Sequence, residues 1–136
     1  MLLYAKKIQA RLMLTVFTVL LLPVVLHAQQ KGGIKSDVEN FIRTADIQFI
    51  SKYFKGYTEV EIPGFSGVVN HVKAQMLIKD FFKNKKTDDF RFKKEESING
   101  LYFIILDLNP KGKTQNLFML FKKDGQGYIL QKIEIG

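Results

Sequence analysis

The chain has 136 residues, a formal net charge of +8, and neither cysteine nor tryptophan. The absence of cysteine excludes disulfides, thiol catalysis, thiolate metal sites and a lipid anchor on cysteine. With only His27 and His71 to draw on, any metal site would have to be built mainly from oxygen ligands.

Residues 1–28 have the pattern of a cleavable signal peptide. Lys6, Lys7 and Arg11 precede an uncharged stretch from Leu12 to Leu26, and Ala28 offers a small residue ahead of Gln29. Fifteen helical residues span roughly 22 Å, short of the ~30 Å hydrocarbon core, so a cleaved leader fits better than an anchor. No twin arginine is present, which favours the general secretory route. The expected mature protein begins near Gln29, in the periplasm or outside the cell, soluble and not lipid-anchored. Its only membrane contact would come through an uncleaved leader.

Residues 29–35 are expected to be a flexible lead-in, and residues 36–136 a single domain. From Ser36 onward, Val38, Phe41, Ile42 and Ala45 recur at helical spacing. Asp46 has the character of a new N-cap, opening a second helix in which Ile50 and Phe54, and Phe49 and Tyr53, pair at i,i+4. Gly56 ends it. Tyr57 to Ile62 alternates as a half-buried strand, and Pro63 with Gly64 turns the chain into a short return strand over Phe65 to Val69. Asn70 can cap a helix whose stripe is Ala74, Leu77, Ile78 and Phe81. Four strands follow. They are Asp89 to Ser97, the nearly continuous apolar Leu101 to Leu108, Leu117 to Phe121, and Tyr128 to Ile135. Asn99 with Gly100, and Asp124 with Gly125, make the tight turns. The apolar run of the second of these strands fits a central strand covered on both faces. The order implies an α+β fold, with N-terminal helices packed on a strongly curved antiparallel sheet.

Little catalytic chemistry is available. His71 beside a helix start has no identifiable partner, and Ser51, Ser66 and Ser97 lie outside any nucleophile-elbow context. The adjacent pairs Asp88, Asp89 and Glu95, Glu96 point to opposite faces of a strand, and Asp80 falls off its helix's apolar stripe. No Walker loop, dinucleotide fingerprint or EF-hand spacing occurs, so no catalytic residue, cofactor or metal is expected. The strongest polar feature is a basic cluster of Lys83, Lys85, Lys86, Arg91, Lys93 and Lys94. It is either an anion-contact surface or lysine protection of a helix end and an edge strand. No aromatic stacking platform accompanies it, so nucleic acid is not an expected partner.

Several phrases in order resemble a family catalogued as domain of unknown function 4783, small secreted proteins of Bacteroides-like bacteria. They are TADIQFISKYF from Thr44 to Phe54, EVEIPG from Glu59 to Gly64, KAQ from Lys73 and KDFF from Lys79. FKKDG from Phe121 and YILQKIEI from Tyr128 to Ile135 close the series. The resemblance covers most of residues 36–136 and implies a fold similar to the nuclear-transport-factor-2-like cone. Departures are Lys94, Glu95 and Glu96 where relatives tend to carry histidine and glycine, and Ile105 where they tend to carry glycine. The resemblance carries no assigned activity.

The expected function is a non-enzymatic module of the bacterial cell envelope, holding a small apolar ligand or a partner protein in its concave face. The alternatives are a small enzyme with a cone-shaped pocket and a basic surface docked on anionic envelope material. A concave side packed with phenylalanines would favour the interaction protein over the ligand site.

Overall fold

A computed structural model of the chain describes residues 33–136. The expected leader, its cleavage point at Ala28 and Gln29, and the lead-in up to residue 32 lie outside the described residues. Helix α1 spans Gly33–Thr44 and buries Val38, Phe41 and Ile42. It begins three residues ahead of Ser36, so residues 33–35 of the expected lead-in are helical. Ile34 sits one turn before Val38 and extends the apolar stripe backward. Ala45 is not part of that stripe. It adopts the left-handed conformation (φ 57°) that commonly closes a helix, and its N–H still reaches the Phe41 carbonyl at 2.7 Å.

The expected second helix is instead two single 3₁₀ turns, Ile47–Phe49 and Ser51–Tyr53. Asp46 caps the first as anticipated, accepting from the Gln48 N–H at 3.0 Å. The buried residues Ile47, Ile50 and Tyr53 recur every three positions, which is the 3₁₀ period. The i,i+4 pairing read from the sequence does not set this segment.

Strand β1 (Tyr57–Ile62) and strand β2 (Phe65–Asn70) form a hairpin. Helix α2 (His71–Phe82) is capped by the Asn70 side chain, which accepts from the Lys73 N–H at 2.9 Å. Ala74, Ile78 and Phe82 are its buried residues. Strands β3 (Phe90–Ile98), β4 (Leu101–Leu108), β5 (Gln115–Asp124) and β6 (Gly127–Ile135) make the meander. Asn99 and Gly100 both have positive φ (49° and 77°), the backbone that a two-residue hairpin turn of matching twist requires.

The six strands form one sheet in the order β2-β1-β6-β5-β4-β3. Strand β1 pairs with β6 in parallel, so the sheet is mixed and not wholly antiparallel as expected. The α+β class holds, with helices on one side of a sheet bent by bulges at Phe92/Lys94 and Leu120/Phe121.

Between helices and sheet the packing is apolar. Phe41, Ile42, Ile50, Ile78 and Phe82 meet Ile104, Leu106, Leu117, Met119, Phe121, Leu130 and Ile133, all essentially without solvent contact. Phe41 and Phe82 bring α1 and α2 together edge to face at 4.8 Å, and Tyr53 meets Phe121 in the same way at 5.3 Å. Because Phe121 lies at the centre of this layer, Phe121→Ala should cost about 3–5 kcal/mol of stability. Met76→Ala, on the exposed side of α2, should stay within roughly 0.5 kcal/mol. Urea denaturation midpoints of the two variants check the contrast.

Candidate functional site

The two faces of the sheet differ in what they offer. On the helix side, buried polar groups are few and each is matched. The buried Thr58 hydroxyl donates to the Leu130 carbonyl at 3.1 Å, tying β1 to β6. The Tyr53 hydroxyl donates to Asp37 Oδ2 at 2.5 Å, and Lys52 Nζ lies 2.8 Å from the same oxygen. Tyr102 lies near the Glu95 carboxylate, which has Lys35 Nζ at 3.6 Å. Burial, then the bond to a carboxylate, raises both phenols above the ordinary tyrosine range. Glu95 reaches this side because the bulge at Lys93 shifts the register, setting it opposite Ile104 and leaving Glu96 on the outer face. Among the described residues, every buried side-chain nitrogen and oxygen has a partner, and no group of three metal-ligating side chains forms.

His71 and Asp80 are exposed on α2, and Ser66 and Ser97 are exposed on β2 and β3. Ser51 donates to the Gln48 carbonyl. The basic cluster divides between two places. Lys83, Lys85 and Lys86 lie at the end of α2, where Lys85 Nζ donates to the Phe81 carbonyl at 2.8 Å and covers the Phe81 ring. Arg91, Lys93 and Lys94 stand on β3. Arg91 and Lys93 share the buried Asp107 at 2.9 and 3.8 Å, and Lys94 lies 3.5 Å from Glu96.

The outer face of the sheet carries the less expected feature. Adjacent strands place Leu101, Phe103 and Ile105 of β4 beside Phe118 and Leu120 of β5, all on the side away from the helices. Leu101 is 38% exposed and its neighbour Ile98 49%, while Phe103, Ile105, Phe118 and Leu120 are half-buried. An open groove of about 810 Å³ runs over Ile105 and Phe118, bordered by Lys94, Asn116, Lys132 and Glu134. Lys132 sits among Glu134, Glu61 and Glu59 at 3.2, 3.5 and 3.6 Å. The hydrogen bond to Glu134 foremost raises its pKa. The sequence signal for this face was the unbroken apolar run of β4, which lacks the polar alternation of a strand open to water on one side.

A helix-backed, bent mixed sheet of this order defines the nuclear-transport-factor-2-like class. A DUF4783 protein from Bacteroides ovatus superposes with a TM-score of 0.66 at 22% identity, over 76% of this chain and 94% of that one. One from Bacteroides uniformis gives 0.66 at 20%, over 75% and 94%. A putative dehydratase of the NTF2-like family from Streptomyces avermitilis gives 0.54 at 12%, over 79% and 92%. The family model described as a domain of unknown function (DUF4783) matches residues 35–136, and the chain belongs to that family. No curated protein matches the chain.

The raised phenols give a test of the helix-side polar pairs. In the folded protein, Tyr53 and Tyr102 should stay protonated above the ordinary phenol pKa of about 10. The unfolded chain then loses protons that the folded chain keeps, so stability should fall as pH rises past 10. An absorbance titration of phenolate should show a late phase, reduced in Tyr53→Phe and again in Tyr102→Phe.

Proposed function

We propose that the protein is an exported, non-enzymatic binding module of the bacterial cell envelope that docks a partner on the outer face of its sheet. One observation carries this reading: the helix-side core is apolar with its polar groups paired, while an apolar strip of β4 and β5, flanked by charges on β3 and β6, faces outward. A ligand pocket would need convergent polar groups around open volume, and on the helix side the phenols and carboxylates are turned to one another. Contiguous exposed apolar surface is characteristic of interaction sites. The pattern of residues 1–28 supports the envelope setting. No described helix is long and apolar enough to cross a membrane.

Site-specific photo-crosslinking in cells tests the proposal. With the chain expressed from its own leader, a photo-reactive amino acid at Phe118 should capture a protein, and the same group at Met76 should not. Equal capture at both positions would overturn the reading. So would a small molecule held by the purified protein in native mass spectrometry.

A further inference from the structure

The solvent side of α2 is a surface of a different kind from the sheet's. At about 100° per residue, Val72, Met76, Lys79 and Lys83 fall on one strip of the helix, away from the buried Ala74, Ile78 and Phe82. Val72 is 56% exposed and Met76 61%. Lys79 is exposed as well, and so is Lys83, which keeps helical backbone at the C-cap. Lys73 borders the strip, Lys85 and Lys86 follow the last turn, and Asp80 is the one acidic residue of the helix.

These five lysines are set apart by what they lack. Lys35, Lys52, Lys55, Lys93, Lys94 and Lys132 each reach a carboxylate. Among the described residues, no ion pair involves Lys73, Lys79, Lys83, Lys85 or Lys86. Lys79 and Lys83 even stand at i,i+4, where like charges cost helix stability. The helix dipole favours a cation in the last turn, but it gives no reason for Val72 and Met76 to face water beside them. An anionic lipid surface accounts for both. Its headgroups neutralise the lysines while the apolar pair enters the boundary with the acyl chains. A protein partner fits less well, because lysine is depleted at protein interfaces and the strip carries no tryptophan, tyrosine or arginine anchor. We infer that α2 is a membrane-docking helix that lies on anionic phospholipid, with Val72 and Met76 turned to the acyl boundary.

This goes beyond the docking of a partner on the sheet and does not compete with it. Helix α2 backs the sheet from the helix side, so a bilayer under α2 leaves the outer face of β4 and β5 open. The size of the contact sets its strength. Twelve residues at about 1.5 Å each make a footprint roughly 18 Å long, and two side chains insert too little area to hold the protein alone. Binding therefore depends on charge. It gains about fivefold per lysine near an anionic surface, and added salt screens it.

The chain has no tryptophan, so Met76→Trp places a single indole on the strip, and Val68→Trp places one on the outer face beside Glu59. Mixed vesicles of phosphatidylcholine and phosphatidylglycerol should shift the emission of Met76→Trp to the blue and leave Val68→Trp unmoved. Phosphatidylcholine alone should shift neither. Cosedimentation of the purified protein with the mixed vesicles should weaken about 25-fold or more when Lys79→Glu and Lys83→Glu are combined. The pair Lys122→Glu and Lys123→Glu changes net charge equally at exposed lysines of β5 and should cost less than about fivefold, with circular dichroism confirming that each variant is folded. Failure to bind the mixed vesicles would overturn the membrane contact, as would equal binding by the two charge-reversed pairs, the outcome expected of attachment through an uncleaved leader. So would a bound protein whose indole at position 76 keeps its emission in water, or binding of dextran sulfate through Lys79 and Lys83 with none to vesicles.

Discussion

The pairing of β1 with β6 is the constraint on which the rest depends. Strand β6 ends the chain yet lies inside the sheet, hydrogen-bonded in parallel to β1 on one side and antiparallel to β5 on the other. Without it the hairpin of β1 and β2, with α2 behind, would have no edge to join. The meander would lose the strand that carries Leu130 and Ile133 into the core. Thr58 and Leu130 lock the junction from the helix side, and Lys132 with Glu59, Glu61 and Glu134 from the outer side. Contacts some seventy residues apart in sequence are costly to close. They are worth closing here because they complete the layer that buries Phe41, Phe82 and Phe121.

That filled layer also shapes what the molecule can do. With no disulfide available, stability comes from apolar packing, much of it supplied by aromatic side chains. On the outer face, hydrocarbon of β4 and β5 lies between charged residues of β3 and β6.

Much of the fold was legible because it is written in local punctuation. Asn99 with Gly100 and the caps at Asp46 and Asn70 are decided within a few residues. Their reading matches the structure. Features set by distant partners were not legible. Nothing near Glu59 to Glu61 announces a parallel neighbour at Lys132 to Glu134. The 3₁₀ turns at Ile47–Tyr53 follow from which side chains the core accepts, and helical i,i+4 spacing was an equally good local fit. The lysine cluster owed its apparent unity to chain proximity, since the end of α2 and strand β3 are different places in the fold. The outer-face rows depend on registers fixed by two bulges, which the sequence marks only faintly. The unbroken apolar run of β4 was the one visible hint.

Strand β3 has a bearing on how far assembly can go. It is one of the two outermost strands, with unpaired backbone along one side, and an edge of that kind can template the addition of further strands. Its bulge at Lys93 and its succession of Arg91, Lys93, Lys94, Glu95 and Glu96 make it twisted, charged on both faces and a poor match for a flat neighbour. Growth sideways into extended sheets is thus blocked at this edge.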